Sequence, residues 1–322
     1  MKAIQIQQLG GPEQLKLVDI PDPQPGLGEA LIEIHAAGVN FIDVYFRIGL
    51  YKADLPITPG NEGSGVVKAI GPGVTHVAVG DRVAYAMARG SYAQLAIVPA
   101  HLLIPLPDAV SFEQGAAALL QGMTAHYLTA STFPLQPGHS ALVHAAAGGA
   151  GALVVQMAKK RGAHVIGTAG SPAKLEIARE AGCDSVIDYT TQDFEEETKK
   201  LTGGKGLDVI YDSVGASTFL KGLNLLRHRG TMVLFGQSSG PVQPIDPNIL
   251  NGKGSLFLTR PSLAHYIASD EELKWRAGDV LNGIADGSLK LRIDRTYPLA
   301  DAAQAHRDLE SRKTAGKLLL IP

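Results

Sequence analysis

"HSALVHAAAGGAGALVVQMAKKRGAHVIGTAG", residues 139–170, decides the fold. An apolar run leads into a glycine-rich turn. Leu153, Val154, Met157 and Ala158 then recur at helical spacing, and a second apolar run follows. The order is strand, turn, helix, strand. Lys159, Lys160 and Arg161 stand in the last turn of the helix, where positive charge suits the carbonyl end of the dipole, and Gly162 ends it. Set against the fingerprint G-x-G-x-x-G, the turn reads Ala146-x-Gly148-x-x-Gly151, with alanine in the first glycine slot. Such a turn needs backbone that can approach a pyrophosphate, followed by a helix start that offers N–H groups. Gly148 and Gly149 permit the approach, and Gly151 permits close packing of helix on strand. One such match is weak by itself; the strand–helix–strand pattern around it gives it weight.

Working outward, the pattern repeats. Ser171 is placed to cap a helix with Pro172 at its first position, and that helix runs to Gly182 ahead of the strand "SVIDY". "LDVIYDSVG" and "TMVLFG" are further short strands, each preceded by a helix. This alternation predicts a doubly wound parallel sheet over 125–262. Residues 1 to about 105 differ. "AIQI", "LKLVDI", "ALIEIHAAGV", "GSGVVKAIG", "DRVAYAM" and "YAQLAIV" are strands broken by Gly and Pro, which predicts an antiparallel barrel or sandwich. Ser111 with Gln114 forms a capping-box pattern ahead of a long helix. Residues 263–322 mix helices with a last strand, "GKLLLIP".

Composition narrows the function classes. The 322 residues are 45% hydrophobic and 19% charged, with a formal charge of −2. No basic surplus is present, so nucleic acid is not expected as the main ligand. The one cysteine, Cys183, cannot form an internal disulfide or a Cys-rich zinc site, and reads as a small buried hydrophobe. The start, "MKAIQIQQLG", alternates like a strand and unlike a signal peptide, and no apolar run approaches the roughly 18 residues of a membrane span. A cytoplasmic location is expected.

The end of the second strand selects the cofactor. NAD-binding folds place Asp or Glu there to bind the ribose 2′-hydroxyl. Here the strand ends Thr168-Ala169-Gly170-Ser171, and Lys174 follows in the first helical turn. Small neutral residues and a nearby ammonium suit a 2′-phosphate, so NADPH is expected rather than NADH. Lys174 as an ordinary solvated helix residue is the plain alternative.

Six stretches together carry a wider resemblance: "AAGVNFIDVYFRIGLY" (36–51), "PGNEGSGVV" (59–67), "HAAAGGAG" (144–151), "YDSVG" (211–215), "FGQSSG" (235–240) and "LTRPSL" (258–263). From end to end the chain resembles the medium-chain dehydrogenase/reductase superfamily, and within it the zinc-free quinone oxidoreductases of the zeta-crystallin group. The resemblance implies a GroES-like antiparallel β-barrel catalytic domain (1–124), a Rossmann NADPH-binding domain (125–262), and a C-terminal segment (263–322) that returns to the catalytic domain. It implies a homodimer, and reduction of quinones or similar conjugated carbonyl compounds. For the cofactor it points to Thr124, Gly148, Gly149, Ala150, Ser171, Lys174, Tyr189, Ser213, Phe235, Gln237, Ser238 and Arg260. Lys317, in the last strand, is left open. Near the nicotinamide it points to Asn40, Tyr45 and Tyr51 as hydrogen-bond donors to a developing oxyanion, with Asn40 alternatively on the nicotinamide ribose. Arg47 is a weaker candidate that reads equally well as an exposed structural residue.

The resemblance also frames the question of metal. In the zinc-dependent alcohol dehydrogenases the similar stretch reads Gly-His-Glu, and that His ligates zinc; here it reads Gly60-Asn61-Glu62, and Asn40 stands near a slot those relatives fill with Cys. Amides are poor zinc ligands, and the ten His form no His-x-x-x-His pair. Chemistry without metal is expected. Two rival readings stay open: an NADPH-dependent alkenal or enone reductase, and an NADPH-binding structural or RNA-binding protein.

Overall fold

Short strands and turns fill the first hundred residues of the computed structural model, which describes residues 1–322. The elements are β1 (Lys2–Gln5), β2 (Lys16–Asp19), β3 (Glu29–Val39), α1 (Phe41–Arg47), β4 (Glu62–Ile70), β5 (Arg82–Ala86), β6 (Leu95–Pro99), β7 (Ile104–Pro105) and α2 (Phe112–Tyr127). Alternation follows, with β8 (Ser140–Val143), α3 (Gly149–Lys160), β9 (His164–Ala169), α4 (Pro172–Glu180), β10 (Ser185–Asp188), α5 (Phe194–Leu201) and β11 (Leu207–Asp212). It continues with α6 (Phe219–Leu223), β12 (Leu226–Leu234), α7 (Asn248–Gly252), β13 (Phe257–Thr259) and α8 (Leu263–Tyr266). The chain closes with α9 (Asp270–Ala285), β14 (Ile293–Pro298), α10 (Ala302–Glu310) and β15 (Lys317–Ile321). Two compact units result, one joining Met1–Met123 to Ile267–Pro322 and the other formed by Thr124–Tyr266.

The first unit is built on β3. Its sheet runs β14-β15-β3-β4-β5-β7, with β6 also paired to β3, and only β14 with β15 is parallel. Along β3, residues 29–33 pair β6, while residues 37–39 pair β15. The strand therefore changes partner midway, and register shifts near Leu31 and Ile34 let it bend. Alternate residues of these strands form the core: Ile32, Val67, Val83, Tyr85, Leu318 and Leu320 are all buried. The register Leu318↔Val39 brings the start of β15 beside Asn40, the residue after β3.

The second unit has one six-stranded sheet, ordered β10-β9-β8-β11-β12-β13, with every pairing parallel. Burial on both faces explains the unbroken apolar runs: Val209, Ile210 and Tyr211 are all fully buried. Leu142, Ile166, Ile187, Phe194, Phe219 and Met232 pack the core on them. The sequence order reverses beside β8, which neighbours both β9 and β11, and this is where open α/β sheets bind ligands.

Candidate active site

In the second unit the turn after β8 has the geometry a phosphate needs. Gly148 is the N-cap of α3, and the first intrahelical bond is Ala152 N–H to Gly148 O, 2.9 Å. The N–H groups of Gly149, Ala150 and Gly151 lie ahead of that bond, at the positive end of the helix. A Cβ on Gly151 would stand 2.2 Å from the Ala145 carbonyl oxygen, so the helix can sit this close only with glycine there. The alanine in the first fingerprint slot also has its reason. The left-handed residue of the turn is Ala145 (φ 53°), one place earlier, while Ala146 N–H donates to Thr168 O at 3.0 Å. The Ala146 methyl lies over Gly167, where a Cβ would come within 2.8 Å of it.

Three further expected residues gather at the end of β9. Ser171 caps α4, its hydroxyl accepting from Lys174 N–H at 3.4 Å. Tyr189, just past β10, is 45% exposed and lies across Gly170, whose Cβ would meet its hydroxyl at 2.5 Å. No carboxylate occupies the strand end.

The loops after β11 and β12 are fastened together. Asp212, fully buried, accepts from Val214 N–H (2.7 Å), Gly215 N–H (3.0 Å) and the Thr218 hydroxyl (2.8 Å). Phe235 N–H donates to Asp212 O (2.8 Å) and Ser238 N–H to Ser213 O (3.1 Å). Ser213, Phe235, Gln237 and Ser238 therefore stand side by side at adjacent strand ends. Thr124 is buried in α2, and Arg260 is exposed just beyond β13.

In the first unit, Asn40 sits in a buried polar network that no local pattern announces. Its Oδ1 accepts from the Lys317 ammonium at 2.7 Å, and its Nδ2 donates to Glu62 at 3.0 Å and to Gly38 O at 3.3 Å. Lys317 also pairs with Glu62 at 2.5 Å, and the other Glu62 oxygen accepts from Leu120 N–H at 2.7 Å. Gly38 makes room for this: a Cβ there would lie 2.5 Å from the Glu62 carboxylate and 2.8 Å from Lys317 Cε.

Asp43 extends the network. It accepts from Asn61 Nδ2 (2.7 Å), Asn40 N–H (2.9 Å) and the Tyr92 hydroxyl (3.2 Å). Tyr92 and His306 Nε2 are 3.1 Å apart, and His306 Nδ1 is 3.0 Å from Arg47. Arginine only donates, so His306 Nδ1 accepts, its Nε2–H donates to Tyr92, and Tyr92 donates to Asp43. Arg47 ends the chain on Glu310 and Gly10 O. Burial pushes the Asp43 carboxyl up to about 6, against the hydrogen bonds from Asn61 and Asn40. Burial, and then the Arg47 charge, push His306 down to about 3. Tyr92 is raised by burial and by the Asp43 charge.

Arg47 is thus buried, not the exposed residue its surroundings in sequence suggested, because α10 supplies its partners. Cys183 is half-buried beside Gly167, and burial raises its thiol to about 12. Tyr45 is buried and meets Tyr51 edge-on at 5.3 Å between centroids. Sequence reasoning missed Asp43, Glu62, Tyr92 and His306 as a set. The residues do not fit zinc: the two slots hold amides, an ammonium stands 2.7 Å from Asn40, and no three His, Cys, Asp or Glu are grouped as ligands.

Two family models match the chain: the alcohol dehydrogenase GroES-like domain over residues 26–108 and the zinc-binding dehydrogenase domain over residues 149–277. Together with the two folds above, they define a medium-chain dehydrogenase/reductase. Quinone oxidoreductase 1 of Escherichia coli is 45% identical over 99% of each chain. The solved structure of an Escherichia coli quinone oxidoreductase complexed with NADPH matches with a TM-score of 0.98, at 44% identity and covering 100% of both chains. A 2-haloacrylate reductase of Burkholderia is 40% identical over 98% of each. The chain belongs to the quinone oxidoreductase group of that superfamily.

Proposed function

We propose that this chain is an NADPH-dependent quinone oxidoreductase that works without metal. One observation carries the reading: end-to-end likeness to quinone oxidoreductases coincides with a pyrophosphate turn and with a β9 end that has Ser171, Lys174 and Tyr189 in place of a carboxylate. The N–H groups that open α3 hold the pyrophosphate. Lys174, Ser171 and Tyr189 hold the 2′-phosphate, and the fastened loops carrying Ser213 and Phe235–Ser238 line the remainder of the dinucleotide. Arg260 and Thr124 belong to the same binding set. Bound NADPH supplies the hydride; the protein supplies position and hydrogen bonds.

A quinone is already electrophilic, so neutral donors suffice for the oxyanion that forms. Tyr45 and Tyr51 fill that role, because both amide protons of Asn40 are engaged by Glu62 and Gly38. Lys317 is the buried cation in contact with Asn40. Its place beside Asn40 and Glu62 supports a reaction that needs no metal ion.

Purified protein should oxidise NADPH with simple quinones, carry no stoichiometric zinc and keep its rate in chelator. Alkenals and 2-haloacrylates form the comparison arm, since a 2-haloacrylate reductase is among the relatives. Higher kcat/KM on those acceptors than on any quinone would transfer the assignment to conjugated-alkene reduction. NADPH binding with no turnover on either class would favour a structural role.

The functional form is a homodimer in the cytoplasm. β13 is an edge strand with Phe257 61% and Leu258 37% exposed, and an unpaired apolar edge invites pairing with its own copy about a two-fold axis.

A further inference from the structure

The turn after β5 carries an arginine onto the aromatic residues of α1. Met87 is left-handed (φ 68°), which is uncommon outside glycine, and its N–H donates to Asn61 O at 2.8 Å. Gly90 N–H donates to Gly60 O at 2.8 Å, so the turn over 87–90 is pinned at both ends to the residues that precede β4. Between the pins, the exposed Arg89 lies over the Phe46 ring, 4.1 Å from its centre. Phe46 meets Tyr51 edge-on at 5.7 Å, and Tyr51 meets Tyr45 edge-on at 5.3 Å. Apart from the ring, the guanidinium has no partner in the chain, neither an ion pair nor a hydrogen bond. A guanidinium over a ring spends its face on that ring and keeps its N–H donors, which lie in its plane, for something else.

We propose that Arg89 is a specificity-determining residue: its N–H fork receives an anionic group, carboxylate or sulfonate, on a quinone whose carbonyl is held by Tyr45 and Tyr51. The favoured acceptors are then planar quinones that carry a negatively charged substituent. The proposal rests on the quinone-reducing reading above, and every residue it uses belongs to the first unit. The contacts from Arg89 to Phe46, Tyr51 and Tyr45 form one continuous row, with a cation at one end and phenol groups at the other. A planar ring with a carbonyl and an anionic substituent matches that order of apolar surface, donor and charge. The strained backbone of Met87 points the same way, since left-handed non-glycine residues persist where the surroundings impose them and gather at binding sites. The Phe46 ring also holds the cation in place before a ligand arrives, which lessens the ordering that binding requires. Arg47 cannot share the task, because it is buried and engaged by His306, Glu310 and Gly10 O.

The test compares 1,4-naphthoquinone with 1,4-naphthoquinone-2-sulfonate at saturating NADPH, in wild type, Arg89→Gln, Arg89→Lys and Arg89→Glu. The measure is the KM of the sulfonate divided by the KM of the parent quinone, so that a general effect on the site cancels. In Arg89→Gln this ratio should rise about tenfold, as expected for the loss of one charge-assisted contact. Arg89→Glu should raise it further, and Arg89→Lys, which keeps the charge but not the fork, should fall between wild type and Arg89→Gln. Added salt should raise the sulfonate KM in wild type and have much less effect in Arg89→Gln. An unchanged ratio in Arg89→Gln, or equal salt sensitivity in the two proteins, would overturn the proposal. So would equal losses on both quinones, which would make Arg89 a support for the Phe46 ring alone. Failure of wild type to reduce the parent quinone would instead show that the underlying reading is at fault.

Discussion

Lys174 and Gly170 show how single residues choose between the two dinucleotides. Lys174 is half-buried in the first turn of α4, its N–H on the Ser171 hydroxyl, and a charge-assisted contact with a 2′-phosphate contributes about 1.5–3 kcal/mol before solvent screening. Lys174→Ala should therefore weaken kcat/KM for NADPH by about tenfold and leave NADH nearly unchanged. The check is the ratio of the two efficiencies in wild type and variant; a ratio that the mutation leaves untouched would sink the 2′-phosphate assignment. Gly170→Asp should also turn preference toward NADH, for two reasons at once. A carboxylate would oppose the phosphate, and its Cβ would displace Tyr189, whose hydroxyl stands 2.5 Å from that position. The Ser171 cap of α4 was legible in the sequence because a helix cap and its first turn lie within four residues of each other. Lys317 and His306 were not. Their partners are set by strand register and by packing of α10, and nothing in the local pattern around either residue encodes that.

At the level of elements, legibility again follows range. The cap of α2 is reciprocal as read: Gln114 N–H donates to Ser111 Oγ at 3.2 Å, and Ser111 N–H to the Gln114 side chain at 2.9 Å. The buried stripe Leu153, Val154, Met157 and Ala158 faces the sheet of the second unit as its spacing required. The change of partner along β3 and the parallel pairing of β14 with β15 were not visible, because period-two alternation is the same whichever strand lies alongside. The short edge strand β13 is where an element bears on assembly. Phe257→Lys with Leu258→Lys should set like charges against each other across a two-fold strand pair, turning a dimer into a monomer while NADPH binding persists. Light scattering at micromolar concentration checks this, and a wild-type monomer would remove the dimer from the account.

For the whole molecule, the buried chain Arg47–His306–Tyr92–Asp43 links folding to pH, and its two titrating groups act in opposite directions. Asp43 has its pKa raised from 3.8 to about 6, so between those values the native protein holds a proton that the unfolded chain has lost. Its contribution to stability therefore grows as pH falls through 6, by about 1.4 kcal/mol per unit and about 3 kcal/mol in all. His306 has its pKa lowered from 6.5 to about 3, so over that window the unfolded chain binds a proton that the native protein refuses. Its contribution is fully present above 6.5 and is lost at a similar slope as pH falls. Between about 4 and 6 the two slopes cancel, and below about 4 only the loss from His306 remains. His306→Gln should unmask Asp43: relative to wild type, the variant should gain about 3 kcal/mol between pH 6.5 and 4.5. Asp43→Asn should do the reverse, becoming less stable than wild type by a similar amount as pH falls from 6 to 4. Urea unfolding of the three proteins at these pH values decides it. Parallel curves would mean that Asp43 and His306 do not titrate as buried partners, and that the hydrogen-bond direction assigned from Arg47 to Asp43 does not govern their protons.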